Sequence, residues 1–349
     1  MKVEQGLQVS IIVPIYNGEK YIESCLRALV NQTLERYEIV CVNDGSTDNS
    51  KEILERYVMK YPDKVRVIHI DNSGVWFARK LGIQTASGKY LGFCDCDDRP
   101  NENMYLRLYE QAEKEGAEMA VCAYERVEAK TEKRYNVEMQ GFGKRTLIVA
   151  EELGNLAVVN TAMWNKMILR EVAIKHVQLE QPPRIAEDMM FLTSLYPHIK
   201  RITFVDECLY TYYVQENSAM SHIKEREVEH LLQNMKAVKK FVNQQSSNHR
   251  WNDLLAMIAF IHIGVSLPLQ FVKSKKKIPY LQGRIKRYLN QEFPEWKNNR
   301  YLKLTYVIKC KGILWKPMVM VWAYKLGLFR VVLWFYYQLR DKLKIDIKW

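Results

Sequence analysis

The sequence predicts an α/β fold in which a mostly parallel β-sheet carries helices on both faces. Over the first hundred residues, short apolar runs rich in β-branched side chains alternate with segments of helical apolar periodicity. Polar or acidic residues follow each apolar run, as expected at the ligand-binding edge of an open sheet. The chain has 349 residues, 48% of them apolar, which suffices for one large domain or two modest ones.

The predicted elements of the first hundred residues follow one another closely. The run VSIIVPIY predicts a strand over 9–16, and the next segment, 19–32, places its apolar side chains on one helical face. The same reasoning predicts three more strands and two more helices. These are strands 37–44, 65–71 and 89–95 and helices 49–61 and 76–87, the last closed by Gly88.

A second section, roughly 101–225, has a less regular pattern. It holds a predicted fifth strand over 117–127, a polar stretch to about 145, and three apolar segments, 163–172, 185–196 and 202–214. From about 225 the pattern is helical. We therefore predict one domain over 1–225, with halves of about 1–100 and 101–225, and a helical, basic and aromatic region over 226–349.

Acidic side chains crowd the end of the fourth predicted strand, in YLGFCDCDDRP. In extended backbone Asp95 and Asp97 point to one side, while Cys94 and Cys96 point to the other, into the core. Two close carboxylates repel each other unless a divalent cation lies between them, and oxygen ligands favour Mg²⁺ or Mn²⁺. Such a cation can stabilise a departing diphosphate, which suggests a nucleoside-diphosphate donor. The alternative is a solvated acidic turn.

Four motifs in order resemble the inverting glycosyltransferases of family 2, which have the GT-A fold. They are P-x-Y-N after the first strand, N-D-G-S-T-D after the second, A-R-x-x-G on the third helix and D-x-D-D after the fourth strand. The resemblance covers about the first 225 residues. Lys80 departs from the family pattern, which usually has Asn there, and Cys94 and Cys96 replace commoner Leu and Ser.

The resemblance implies roles for the residues that match these motifs. The donor nucleotide and its diphosphate would be bound by Pro14, Tyr16, Glu19, Asp44, Ser46, Arg79 and Asp95. Asp44 would accept from the uracil ring N–H, and Arg79 would lie near the diphosphate. Asp97 would bind the metal directly and Asp95 would touch both metal and ribose, while Asp98 would support them.

The segment PPRIAEDMMFL predicts a second part of the site. Its two prolines forbid helix before Ile185, so Glu187 and Asp188 fall in the first turn of a helix. A helix N-terminus favours an ionised carboxylate, as a general base requires. By the resemblance Asp188 is the base that deprotonates the acceptor hydroxyl, and Glu187 orients the acceptor or Asp188. Acids at a helix start are also explained by the helix dipole alone.

Two more segments resemble the family. In MWNKMI, Trp164 would stack on the acceptor sugar, and Asn165 or Lys166 would contact donor or acceptor; a structural Trp is the alternative. In YYVQENSAMSH, His222 would supply a third metal ligand or reach the diphosphate, although a lone loop histidine is commonly just solvated.

Charge and cysteine content bear on compartment and partners. The N-terminal segment lacks the features of a signal peptide, no run of about 20 uncharged apolar residues predicts a spanning helix, and seven cysteines fit buried reduced thiols. We therefore expect a cytoplasmic protein. Cys94 and Cys96 as zinc ligands are disfavoured because no second ligand pair follows.

The net charge of +12 is concentrated towards the C-terminus. From Trp296 onwards, twelve Lys and Arg side chains face two Asp, among many aromatics. No nucleic-acid recognition module is visible, so nucleic acid is not expected as a partner. The tail predicts peripheral association with the anionic inner face of the cell membrane, with a helical mini-core or a homodimer face as the alternative.

The favoured function is metal-dependent inverting transfer of a sugar from a UDP-sugar to a hydroxyl of a glycan or lipid-linked acceptor, in cell-surface polysaccharide synthesis. A nucleotidyltransferase would need a Gly-rich, basic loop after the first strand, which YNGEKY does not supply. A non-catalytic sugar-nucleotide binder is the third hypothesis, and the intact Asp95, Asp97 and Asp188 disfavour it.

Overall fold

The computed structural model describes residues 6–179, 182, 184–215, 223–271, 278–310 and 314–343. The chain divides into two compact units. The first unit comprises Met1–Val149 and Asn160–His222, and the second comprises Ala150–Val159 and Ile223–Trp349. The predicted boundary near residue 225 falls beside the second break, whereas the membership of 150–159 in the second unit was not predicted from the sequence.

The described part of the first unit contains one sheet of ten strands, numbered β1 to β10 in chain order. The strand order is β3-β2-β1-β4-β9-β6-β10-β5, and in addition β7 pairs with β6 and β8 pairs with β10. Pairs β1–β2, β2–β3, β1–β4 and β6–β10 are parallel, and β9 is antiparallel to both β4 and β6. The strands are β1 Val9–Ile15, β2 Tyr37–Asp44, β3 Val65–Ile70, β4 Tyr90–Phe93, β5 Arg99–Pro100, β6 Met119–Glu128, β7 Arg134–Glu138, β8 Thr146–Ile148, β9 Lys166–Leu169 and β10 Arg201–Val214.

Helices cover both faces of this sheet, as predicted. Alternate residues of β1, among them Val9, Ile11 and Val13, pack in one core with the buried face of the first helix. On the opposite face, Val40 and Val42 of β2 pack with Ala78 of the third helix. The helices of the first unit are α1 Ile22–Val30, α2 Ser50–Lys60, α3 Val75–Thr85, α4 Met104–Glu115, α5 Arg170–Ala173 and α6 Glu187–Leu195.

The fourth strand is shorter than predicted. It ends at Phe93 rather than Asp95, because the chain turns there and the Asp98 N–H donates to the Asp95 carbonyl at 3.1 Å. Cys94 is buried, as predicted from strand alternation, but Cys96 is only partly buried. The acidic segment is therefore a turn at the sheet edge rather than a continuation of the strand.

Helices make up most of the second unit. They are α7 Glu225–Gln245, α8 Arg250–Ala259, α9 Leu267–Phe271, α10 Ile278–Glu292, α11 Leu304–Lys309, α12 Trp315–Lys325 and α13 Phe329–Leu343, with a π-helix over Phe260–Ser266 joining α8 to α9. The short segment 150–159 belongs here because the Arg250 guanidinium donates to the Ala150 carbonyl at 2.9 Å and Gly154 lies against the Tyr301 ring.

One continuous helical segment, Arg250–Phe271, is long and apolar enough to cross a membrane by length and composition alone. The expectation that no such segment exists is therefore wrong on those two criteria. Most of its residues are buried in the described structure, since Leu254, Leu255 and Met257 are fully covered by protein. Burial of this kind is typical of the core helix of a helical domain.

Candidate active site

Arg79 of α3 lies at the centre of three carboxylates. Its Nη2 donates to Asp95 Oδ1 at 2.9 Å, and its Nη1 donates to Glu187 Oε1 at 3.1 Å and to Asp188 Oδ1. The guanidinium side chain is only 8% exposed. Arg79 thus contacts carboxylates 108 and 109 positions away in the sequence, and brings the predicted donor residue Asp95 and the predicted base Asp188 into one cluster.

Local structure explains how these side chains meet. A Cβ at Gly82 would come within 2.5 Å of the Ile12 side chain, so glycine allows α3 to pack closely on β1 and sets the depth of Arg79. Ala186 adopts a left-handed backbone, φ 58°, immediately before α6. This conformation is uncommon for a residue with a Cβ, and it turns the start of α6, with Glu187 and Asp188, towards Arg79.

Burial and mutual repulsion weaken the acidity of the two helix-start carboxyls. Burial, helped by the charge of Asp188, raises the pKa of Glu187 to about 7. Burial also raises the pKa of Asp188, which Arg79 opposes by favouring the ionised form. The helix N-terminus favours ionisation as well, but by less than burial disfavours it. Both carboxyls therefore keep their protons to a higher pH than an exposed carboxyl would.

The turn after β4 holds the remaining acids. Burial and the charge of Asp95 raise the pKa of Asp97 to about 6. Asp98 is buried and faces away from the cluster, since its oxygens accept from the Tyr210 hydroxyl and the Tyr213 N–H, both at 2.8 Å. Asp98 therefore fastens the acidic turn to β10, while Asp95 and Asp97 stay partly accessible.

The donor set at this turn fits a divalent cation in part. Asp95 and Asp97 offer hard carboxylate oxygens, and the cluster carries three acids against Arg79. No group of three or more His, Cys, Asp or Glu side chains forms a ready cation site within the described residues. Mg²⁺-type ions are commonly held by one or two carboxylates together with substrate phosphates, and two carboxylates match that arrangement. His222, the predicted third ligand, lies outside the described residues.

The loops after β1, β2 and β3 are tied together by side chains of the predicted donor-binding set. Asp44 is buried, and its two oxygens accept from the backbone N–H groups of Ser73 at 2.6 Å and Gly74 at 2.8 Å. Ser46 Oγ accepts from the Asn17 N–H at 3.0 Å. These bonds bring three strand ends to one edge, as the placement of polar residues predicted.

Comparisons with known proteins agree with this architecture. Residues 10–175 match the model of glycosyl transferase family 2. The uncharacterized glycosyltransferase EpsJ of Bacillus subtilis is 36% identical over 216 residues, 60% of this chain and 62% of EpsJ. The glycosyltransferase GlyG of Streptococcus pneumoniae is 31% identical over 221 residues, 61% of this chain and 72% of GlyG.

The chain belongs to glycosyl transferase family 2. The crystal structure of Staphylococcus aureus TarS 1–349 in complex with UDP-GlcNAc superposes with a TM-score of 0.71 at 21% identity, covering 92% of each chain. That likeness confirms the predicted GT-A fold, and the family match confirms the predicted resemblance to family 2. The matched segment spans less than two thirds of the length of EpsJ.

Other donor-side residues of this family 2 chain lie where a nucleotide could reach them. Tyr16 is 52% exposed just beyond β1, and Pro14 lies in β1 with a partly exposed side chain. Glu19 Oε2 accepts from the Asn49 backbone N–H at 3.1 Å, which links the first loop to the start of α2. Contacts of these residues with a donor remain predictions.

The acceptor-side residues are more enclosed than their predicted role requires. Trp164 is 7% exposed and stacks on Tyr210 and Tyr212, with ring centroids 4.6 and 5.4 Å apart. Asn165 and Lys166 are fully buried. Asn165 Nδ2 donates to the Cys122 carbonyl at 2.9 Å. Each has a structural role in these contacts, and contact with an acceptor remains a prediction.

Two groups that complete the site were not predicted from the sequence. The Met163 N–H donates to Asp188 Oδ2 at 3.3 Å, so the turn before β9 orients the predicted base. A backbone donor has no residue-type signal and cannot be read from a sequence. Asp48 accepts from the Glu19 N–H at 2.9 Å and could have been found, because it is the second aspartate of N-D-G-S-T-D.

The buried side chain of Lys166 stabilises the turn before β9 through hydrogen bonds. Its ammonium donates to the Ala162 carbonyl at 2.7 Å and to Asn165 Oδ1 at 2.8 Å, and burial lowers its pKa to about 7. Its positive charge favours the ionised form of Asp188. A buried ammonium without a carboxylate in direct contact is costly, so its retention points to the electrostatics of the base.

We expect Lys166→Met to shift the acid limb of the pH profile of kcat/KM, measured by UDP release, to higher pH. Loss of the charge raises the pKa of Asp188, so the base ionises later as pH rises. Lys166→Arg is the matched control, since it keeps the charge. An acid limb that stays in place in Lys166→Met, with lower kcat alone, would show that Lys166 acts only on structure.

Proposed function

We propose that this family 2 chain is a metal-dependent inverting glycosyltransferase, which moves a sugar from a UDP-sugar to a hydroxyl of a glycan or lipid-linked oligosaccharide. The product would be a cell-surface polysaccharide. The observation that carries the proposal is the cluster in which Arg79 joins the predicted base, Asp188, to the predicted donor and metal residue, Asp95. A single displacement requires the base that activates the acceptor and the residues that bind the donor to lie close together, and Arg79 contacts both Asp188 and Asp95.

The reaction would take place in one step. Asp188 accepts the proton of the acceptor hydroxyl as its oxygen bonds to C1 of the sugar, and the bond from C1 to the diphosphate oxygen breaks. The electron pair leaves with UDP, and attack from the opposite face inverts the anomeric centre. Glu187, with a pKa of about 7, holds or releases a proton beside the base. Arg79 orients Asp188 through its Nη1 group.

Mn²⁺ or Mg²⁺, held by Asp95 and Asp97, would neutralise the negative charge that develops on the departing diphosphate. The chain's own part is to present two carboxylates on a turn that Asp98 fastens to β10. His222 is proposed as a third ligand from the resemblance alone. Donor recognition is assigned to Pro14, Tyr16, Glu19, Asp44, Ser46 and Arg79, and acceptor recognition to Trp164, Asn165 and Lys166.

The proposed setting is the cytoplasm, at the inner face of the cell membrane, where lipid-linked acceptors are extended. An anionic membrane surface or a second copy of the chain is proposed as the partner of the basic tail, and nucleic acid is not. The described helices from α11 to α13 carry this charge almost without acids, since Asp341, near the end of α13, is the first acidic residue after Glu295.

A donor panel tests the proposal. We expect thermal shift with Mn²⁺ to single out one UDP-sugar, and the same compound to release UDP in turnover with an acceptor preparation from cell-wall glycan. EDTA should abolish that release. A protein that binds a UDP-sugar but releases no UDP with any acceptor would instead be a sugar-nucleotide binder.

We expect the stabilisation by Mn²⁺ with UDP, read as the shift in Tm, to be larger at about pH 8 than at about pH 5.5. The pKa of Asp97 is about 6, so protons compete with the metal only below that value. Asp97→Asn should remove most of the Mn²⁺-dependent shift, whereas Asp63→Asn, at an exposed site, should keep it. Equal shifts at both pH values would contradict Asp97 as a ligand.

A further inference from the structure

The second unit exposes a continuous apolar stripe on α12. Trp315, Val319, Trp322 and Leu326 are 53%, 46%, 57% and 65% exposed. Their spacing of four, three and four residues places them on one side of the helix. Single exposed apolar side chains are ordinary, but an aligned row of them that includes two tryptophans is not. Such a row on a helix that already has a buried face indicates a binding surface.

The stripe cannot turn inward, because the other side of α12 is already packed. Met320, Val321 and Tyr324 are buried, and the Tyr324 hydroxyl donates to the Gly264 carbonyl of the π-helix. Tyr324 also packs on Phe329 with ring centroids 4.1 Å apart. The aromatics of the tail therefore divide into two sets, one inside a helical mini-core and one exposed.

The next helix adds to the exposed set. Val331, Trp334 and Phe335 of α13 are 49%, 56% and 56% exposed. Gly327, with φ 72°, forms the turn that joins α12 to α13. Exposed tryptophans therefore lie on both α12 and α13.

Cations that are exposed or partly exposed lie on or next to α11, α12 and α13. Lys303, Lys309, Lys325 and Arg330 are exposed, and Lys316 is partly exposed. No ion pair joins these five to an acidic side chain in the part of the chain that the structure describes. Between Lys303 and Leu343 the sequence has eight Lys and Arg residues and one acid, Asp341. The charge is therefore available to an anionic partner.

We propose that the α12 stripe, with Trp334 and Phe335 of α13, docks on an anionic lipid bilayer surface. Indole rings prefer the boundary between headgroups and acyl chains, and long basic side chains keep their charge at the headgroups while their stems lie along apolar surface. Lys325 already lies over the Trp322 ring, with its Nζ 5.4 Å from the ring centroid.

A second copy of the chain fits this surface less well. In a twofold-symmetric dimer the same patch faces itself, so the cations around the stripe would be brought together without acids to neutralise them. An anionic leaflet supplies that neutralisation and attracts each cation near its surface. The proposal rests on the membrane setting given under the proposed function, and it names the residues that make the contact. It does not depend on the proposed reaction.

Co-sedimentation of the full chain with vesicles tests the docking. We expect binding to vesicles of phosphatidylglycerol and phosphatidylcholine, and little binding to phosphatidylcholine alone. Trp315→Ser with Trp322→Ser should weaken binding about tenfold or more, because two interfacial side chains are lost. Lys325→Gln with Arg330→Gln should weaken it by a similar factor, and added salt should weaken it further.

The control is Met59→Ser with Ile174→Ser, which replaces two exposed apolar residues of the first unit, 75% and 50% exposed, and should leave vesicle binding unchanged. UDP release without vesicles should be the same in all three double variants, which separates failure of docking from failure of the proposed reaction. Equal binding by the tryptophan variant would overturn the proposal. So would a tryptophan variant that turns a dimer into a monomer without changing vesicle binding.

Discussion

Asp188→Asn is expected to lower kcat about a thousandfold while UDP binding persists. A general base contributes roughly a hundredfold to ten-thousandfold, and the amide of asparagine cannot accept the acceptor's proton. The substitution keeps the size of the side chain and leaves the Met163 N–H an oxygen to donate to. Arg79 retains Asp95 and Glu187 as partners, so the fold around the cluster should survive.

UDP release in a coupled assay, with UDP affinity from thermal shift, measures the two quantities separately. Asp63→Asn is the matched control, an exposed aspartate between α2 and β3, and should change kcat by less than about twofold. Glu187→Gln should give an intermediate loss, because it removes a neighbour of the base rather than the base. A kcat within tenfold of wild type for Asp188→Asn would remove Asp188 from the role of general base.

Arg79→Met is expected to cost about 3 kcal/mol of unfolding free energy at neutral pH, besides abolishing turnover. It removes the cation that compensates three partly buried carboxylates. The penalty should shrink as pH falls. With the guanidinium gone, the pKa values of Glu187 and Asp188 rise further, because Arg79 no longer favours their ionised forms. The folded state then takes up protons before the unfolded state does, and protonation relieves the repulsion.

Urea denaturation at about pH 8 and about pH 5.5 measures this difference in unfolding free energy. Arg66→Met is the matched control: Arg66 pairs with Glu38 at 3.0 Å but is 41% exposed, so its loss should cost less than about 1 kcal/mol at either pH. Arg79→Lys should lower the unfolding free energy by an amount between those of Arg66→Met and Arg79→Met, because one ammonium cannot bridge three acids. A loss for Arg79→Met that is the same at both pH values would mean that packing, not charge, makes Arg79 important.

The order of strands and helices followed from the sequence because apolar periodicity is a local property. Strand β2 was predicted at its observed limits. The prolines before Ile185 predicted that Glu187 and Asp188 lie in or near the first turn of a helix, and α6 begins at Glu187. The convergence of Asn17, Asp44 and the acidic turn at one edge followed from the rule that parallel strands end together. These predictions depend on residues that are neighbours in the chain or on a rule of topology.

Contacts between distant segments needed the tertiary structure. The sequence placed Arg79 near a diphosphate, but its pairing with two carboxylates on α6 depends on how closely α3 packs over Gly82. Burial likewise decided that Lys166 is an internal ammonium rather than an accessible contact. Motif spacing alone does not specify how deeply a side chain is buried or which residue it pairs with, because both depend on elements far apart in the sequence.

The sequence by itself determined a family 2 glycosyltransferase with a basic, aromatic tail, because motif order and charge are properties of the chain. Only the tertiary structure decided which aromatics of that tail are buried, as Tyr324 is, and which stand in water, as Trp315 and Trp322 do. It also placed one guanidinium among three acids. The physical reason is that burial and electrostatic pairing are set by packing between elements, which no local pattern of residue types specifies.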